Sequence, residues 1–491
     1  MDPEDISEGE LTSAENMIHR DGSFRSRPGF STLINSIAQR PMSYFQYQDV
    51  DGTVRVVLGT DQGWWLLANN VAWQNITDPA APLTANDHVQ VPVFRTFSKA
   101  NVAWLLGTNG KDVPKRWHGG LADYEPMGGS PPIARCMFVV FDRVILGNLL
   151  SGGTISPVAI DVSANKDFDS GWGSELVALL AETSGHIISM IEMGTQQGAI
   201  IKQDALYLLI AQGGTAPFRI EHIKGEISGP SSTALSFKLT DGACGWVGGD
   251  GDVSIFDGAS VSQLPYAVQK QIISTCNTNR LTVGWTAYDS RRRELYIIYP
   301  LMGSSEPNGG VMVNMGTKAV YPIRFPTIRP TAGQFVKTQS GLTIGDLGML
   351  IGQIDQTIGE LGGASAIRRL AIGDIGGQTY QDIDTSDNGT PIPVFWQSPV
   401  RGTAERFTTI GRIRHRFKRT TVTQSVGFKV VKRTKEPDVV PAKTINIGST
   451  LRTVTGHRIS SEYFSMHYSA DATQEVDYRG AALYGTSRGN R

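Results

Sequence analysis

The sequence predicts an all-β chain whose main body is a β-propeller. Short β-rich runs recur along it at even spacing, small Gly-containing turns join several of them, and helical periodicity is scarce. The runs are TVRVVLGT (53–60), GWWLLANN (63–70), ANVAWLLGT (100–108), RCMFVVFDRVILGN (135–148), GAIIKQDALYLLIA (198–211), GWVGGDGDVSIFDG (245–258) and RELYIIYP (293–300). Each is bounded by Gly, Asn, Asp or Pro. Evenly spaced strands with no α/β alternation leave a sandwich, a barrel or a propeller.

The turns favour the propeller. LGTDQGWWLL (58–67), LLGTNGKDV (105–113) and VGGDGDVSIFDG (247–258) each set a small Gly turn between two strands. Asn-Gly and Asp-Gly suit a type I′ hairpin, which needs φ > 0 at both central positions, and Asp250-Gly251 is expected to be one. The first two LGT units lie 48 residues apart, close to the roughly 40–50 residue period of propeller blades. A sandwich would carry similar hairpins, and divergence between the repeats leaves the blade number open.

Composition narrows the function classes. The chain has 491 residues, room for more than one module. Lys+Arg is 45 and Asp+Glu is 46, so bulk charge does not coat nucleic acid. The 55 glycines are dispersed, which suits many tight turns and excludes a collagen repeat. Cys136, Cys244 and Cys276 lie far apart with no metal-type spacing, and their odd number fits a reducing compartment. The start, MDPEDISEGE, is unlike a secretory signal. The apolar run 136–150 is broken by Asp142 and Arg143, so no stable membrane insertion is expected.

Motifs that suggest chemistry have plainer readings. Gly485-Thr486-Ser487-Arg488-Gly489 matches GxSxG, but two residues after it leave no room for the helix a nucleophile elbow needs; a mobile tail is expected. Gly248-Gly249-Asp250-Gly251-Asp252 departs from a calcium repeat at Val253 and reads as a hairpin turn. Gly110-Lys111 is followed by Asp112, not Ser or Thr, so it is no phosphate loop. Ser163–Trp172 lacks the spacing of a sialidase Asp box. Trp64, Trp65, Trp73, Trp104, Trp172, Trp246 and Trp285 are expected to pack the core and blades. No catalytic residue, metal ligand or cofactor is expected, and the chain is expected not to be an enzyme.

Composition shifts after Pro330. Residues 331–390 are rich in Gly, Ile and Asp, and TIGDLGMLIGQIDQTIGEL (343–361) carries a helical stripe interrupted by glycines that cost about 1 kcal/mol each. Loop and short helical turns are expected. The β signal returns from Pro393. Residues 401–435 hold eleven Lys/Arg against one acid. There Arg412, Arg414 and Arg416 alternate with Ile413 and His415, so a strand would put the arginines on one face. Such a face suits a carboxylate-bearing protein partner, a DNA phosphate or bare solvent. A densely basic DNA channel would slow DNA exit, which favours the protein partner.

ENMIHRDGSFRSRPGF (15–30) resembles the N-terminal signature of the tail nozzle family of short-tailed bacteriophages, also called tail tubular protein B or tail hub proteins. The matching positions are Asn16, Arg20, Gly22, Arg27, Pro28 and Gly29, with Arg27-Pro28-Gly29 as a family-like turn. RCMFVVFDRVILGNL is similar to a family blade strand through Arg143, Val144, Gly147 and Asn148. IIKQDALYLL with 245–272 is similar to a blade and its exit turn. TIGDLGMLIGQIDQTIGEL resembles the segment after the propeller, and DYRGAALYGTSRGNR (477–491) the C-terminus.

The resemblance implies a β-rich platform domain formed by both termini (1–40 and 391–491), a propeller (41–330) and a Gly-rich connecting insertion (331–390) as candidate nozzle tip. It implies a virion structural protein, assembled in the host cytoplasm, whose homo-oligomer, a hexamer, extends the tail channel, retains the genome and lets DNA leave. The partners it implies are the tail adaptor or head–tail connector, a tail fibre or tailspike, and viral DNA passing without sequence recognition. Arg412, Arg414 and Arg416 are then the candidate assembly interface. The alternative is a β-propeller carbohydrate-binding or protein-interaction module.

Overall fold

The computed structural model describes residues 13–489 except 21–22, 51, 69–71, 85–90, 152, 175, 213–216, 241, 339–365, 399–400, 403–405, 418–423, 433–437, 440–442, 448–451, 462 and 474. The chain is all-β and divides into two compact units. One comprises 32–320 and 327–381; the other comprises residues up to 31, 321–326 and those from 382 onward.

The larger unit is a seven-bladed β-propeller. Among the described residues, seven four-stranded antiparallel sheets follow one another, spanning 41–75, 93–126, 133–179, 187–225, 236–263, 285–324 and 331–384, the last completed by a strand from 29–34. Their innermost strands are Pro41–Gln48, Val93–Lys99, Ile133–Val140, Ile187–Glu192, Ser236–Thr240, Trp285–Asp289 and Thr331–Thr338. Each packs on the next, and the seventh packs back on the first, so the ring is closed.

Blades hold together because each sheet buries both faces. Val57, Trp64, Leu105 and Trp117 fill the space between blades 1 and 2. Phe138, Ile145, Ile200 and Tyr207 fill that between 3 and 4. Such two-sided burial explains the near-continuous apolar runs, such as the fully buried Glu294–Tyr299. A helix, Tyr266–Thr275, follows blade 5 and buries Val268 and Ile272 against strand residues Leu295 and Ile297 of blade 6.

Closure of the ring departs from the sequence reading. The segment after Pro330 is not loop and helical turns where it is described. Thr331–Thr338 pairs with Ala366–Gly373, which pairs with Thr379–Asp384, and Gly29–Ile34 adds as the outer strand. Leu370, Ala371 and Ile372 are fully buried there. The low strand propensity of a Gly-rich segment is overridden by partners distant in sequence. The helical stripe at 343–361 lies outside the described residues. The first and last blades are tied by Trp73 Nε1, which donates to Thr379 Oγ1 at 3.1 Å. The N-terminal stretch leaves the smaller unit at Ser31, earlier than residue 40.

The smaller unit is a two-layer β-sandwich. Among the described residues, one sheet has seven strands, running from Ser13–Glu15 through Ile392–Gln397, Tyr463–Ala472 and Gln424–Lys432. The other, among the same residues, has five, ordered Met17–Arg20, Ser23–Ser26, Asp477–Gly489, Arg406–Phe417 and Arg452–Ser461. Both sheets therefore mix strands from the two ends of the sequence. Trp396 stacks on Tyr468 with centroids 4.8 Å apart, and Ile413, Phe417, Phe428 and Tyr478 close the core around them.

Candidate functional site

The family-like turn is a buried structural knot. Arg27 is 2% exposed, and all five guanidinium N–H groups are used. Nε donates to Asn16 Oδ1 (3.0 Å), Nη1 to Pro28 O (3.0 Å) and Asp387 Oδ1 (2.9 Å), and Nη2 to Arg324 O (3.1 Å) and Asp387 Oδ2 (2.5 Å). Asn16, at φ 57°, donates through Nδ2 to Pro393 O (2.7 Å) and accepts Arg324 N–H (2.9 Å). The fork-to-fork pairing suits Arg and no other cation. At Gly29 a Cβ would overlap the backbone carbonyl of Ser386, so this approach requires glycine. Asp387, which completes the knot, carries no sequence signal, because it lies 360 residues from Arg27.

Arg412, Arg414 and Arg416 sit on Arg406–Phe417, an interior strand of the five-stranded sheet. Ile413, His415 and Phe417 point into the core, while Arg412 and Arg416 are exposed and Arg414 is half-buried. His415 is held inside by Tyr468 Oη (3.0 Å) and Thr455 Oγ1 (2.9 Å). That anchor fixes the register, so the arginines share the outer face. Arg416 is also directly opposite Arg452 in the ladder.

The propeller's inner strands enclose a cavity of about 340 Å³ lined by blades 1, 2, 4 and 5. Arg95 and Glu192 in its lining are paired with each other. Arg95 Nη2 donates to Met190 O (3.0 Å), its Nε lies 3.1 Å from Glu192 Oε1, and Glu192 accepts Val139 N–H (2.9 Å). The cluster thereby joins blades 2, 3 and 4.

Other motif residues have local structural roles. Asp250-Gly251 does not form a two-residue type I′ turn. Gly248 N–H donates to Asp252 O (2.8 Å) and Gly251 N–H to Gly248 O (3.0 Å), while φ is positive (80°) at Gly251 and not at Asp250. The three-residue loop with a left-handed glycine also matches the strand twist. Burial pushes the Asp252 carboxyl up to about 6, with the neighbouring Asp250 adding to it. Gly485–Gly489 is not a mobile tail: Asp477–Gly489 is one strand, paired with Arg406–Phe417 as far as Arg406 opposite Gly489. Trp64, Trp246 and Trp285 are buried core residues. Burial pushes the thiols of Cys136, Cys244 and Cys276 each up to about 12. Among the described residues no group of three or more His, Cys, Asp and Glu could hold a metal ion.

No family model matches the chain, and no curated protein does. Among solved structures it is similar to BamB from Moraxella catarrhalis, at 11% identity over 76% of this chain and 97% of that one, with a TM-score of 0.37. It is similar to YCF48 from Cyanidioschyzon merolae, at 11% identity over 72% of this chain and 98% of that one, TM-score 0.40. It is also similar to BBS1N, solved in complex with ARL6DN, at 11% identity over 74% and 99%, TM-score 0.39. At such identities the likeness concerns fold and says nothing of function.

Proposed function

We propose that this chain is a structural interaction protein that works by binding other protein chains and turns over no substrate. Within that class the finer reading is a ring-forming nozzle subunit of a short phage tail. The observation that carries it is the composition of the sandwich. Both sheets combine strands from residues 13–26 with strands from 392–489, and the propeller is made by the sequence between. That is the division of labour the tail-nozzle resemblance implies. The residues behind the resemblance, Asn16, Arg27 and Gly29, converge on one buried knot within this unit, which gives the signature a physical reason.

A structural role also accords with the chemistry of the described residues. Arg95 and Glu192 of the propeller cavity pair with each other, and the cysteines are buried with raised pKa values. The test is the mass of the purified chain in solution, alone and with a candidate tail adaptor protein. A closed ring of defined number is expected, six by the resemblance, together with no turnover of glycans, esters or nucleotides. A chain monomeric in both conditions would overturn the nozzle reading. Turnover abolished by one carboxylate or serine substitution would overturn the wider class.

A further inference from the structure

The outer face of the seven-stranded sheet is a trough, on the opposite side of the sandwich from the arginine face. One line across the sheet runs Glu15, Phe395, Ser469, Gly427, Thr444 through successive ladder partners. Ser469 and Gly427 are small, so the sheet dips between Phe395 and Thr444. The resulting depression has a volume of about 450 Å³, and Glu15 and Asp471 bring carboxylates to its lining.

We propose that this trough receives the Arg412–Arg416 ridge of a second copy of the chain. The proposal rests on the ring-forming reading above and names its contact. Charge is complementary: a row of arginines faces outward on one sheet, and two carboxylates border the trough on the other. Spacing agrees as well. Arg412 and Arg416 are four strand residues apart, about 13 Å. Glu15 lies two strands from Ser469, and Asp471 two residues along from it, which separates the acidic positions by about 12 Å at the backbone. Lys429 is exposed on the trough's sheet on the other side, opposite His467 in the ladder. It repels a ridge laid the wrong way and so sets the direction.

Ridge and trough belong to opposite faces of one sandwich, so the contact is head-to-tail. Such heterologous contacts close into rings when the rotation between copies allows. Arginine forks on carboxylates in a partly desolvated interface supply direction and specificity, and reversed charges there are strongly unfavourable.

The test uses the full chain and two charge reversals, Arg412→Glu with Arg416→Glu, and Glu15→Lys with Asp471→Lys, with circular dichroism to verify folding. Each reversal should weaken self-association roughly tenfold or more, and combining all four should restore it. A covalent readout is independent of affinity. The native cysteines are all buried, so Arg416→Cys with Ser469→Cys in one chain should give a disulfide ladder on oxidation, and neither alone should. Oligomers indifferent to every reversal, or dimers linked by Arg416→Cys alone, would overturn the contact and leave the ring reading to other surfaces. A wild-type chain that never self-associates, with or without the adaptor, would remove both.

Discussion

Replacing Arg27 by Met tests the knot that joins the two ends of the sequence. The substitution keeps much of the side-chain volume and removes the guanidinium. It leaves the Asp387 carboxylate, itself fully buried, with no countercharge, and strips a donor from Asn16 Oδ1, Pro28 O and Arg324 O. Breaking a buried pair from one side costs about 3–5 kcal/mol. Each buried acceptor left short of a donor adds about 1 kcal/mol or more, although Asn16 Oδ1 retains Arg324 N–H. A loss of about 5–7 kcal/mol is therefore expected in the unfolding transition of the sandwich. Arg27→Met with Asp387→Leu should cost clearly less than Arg27→Met alone, since no orphan charge remains. Arg27→Lys should fall between wild type and Met, because three donors cannot serve five acceptor positions. The assay is urea denaturation followed by hydrogen exchange of the strands at Met17–Arg20 and Ile392–Gln397, which separates this unit from the propeller. If Arg27→Met shifts that transition by less than about 1 kcal/mol, or if the double variant is the worse one, the account of a charge-compensated buried knot is refuted.

Three further outcomes are expected. Gly251→Val forces a β-branched residue to φ 80° and brings its Cβ to 3.2 Å from Ile273, so the propeller's melting temperature should fall by the equivalent of about 1–3 kcal/mol; an unchanged value would sink the turn assignment. Gly29→Ala drives a Cβ into the Ser386 carbonyl, and hydrogen exchange around 384–390 should rise sharply; protection equal to wild type would show the approach is looser than described. The folded-state pKa of Asp252 is raised to about 6 from an ordinary 3.8. The folded state therefore binds its proton more tightly than the unfolded state, and stability is lost as pH rises from about 4 to about 6. Asp252→Asn should match wild type near pH 4 and exceed it above pH 6.5, by about 1–3 kcal/mol; a gain that does not depend on pH would contradict the assignment.

Much of the architecture was legible in the sequence, because strand alternation and turn chemistry are local. The runs at 53–60, 135–148 and 293–300 read as strands from β-branched and aromatic content. The alternation of Arg412, Arg414 and Arg416 with Ile413 and His415 already separated an outer from an inner face. What remained out of reach was pairing. Seven blades, and closure of the last by Gly29–Ile34, depend on which strands meet, and ladder partners hundreds of residues apart leave no mark in either segment. The same cause hid Ala366–Gly373, set in a Gly-rich stretch that suggests loop, and Gly485–Gly489, which reads as a tail until a neighbouring strand supplies the hydrogen bonds. Arg27 and Gly29 stood out through the family resemblance, yet only the tertiary structure brought Asp387 and Ser386 against them. A buried guanidinium is tolerable solely where such partners converge, and that convergence is a property of the folded chain.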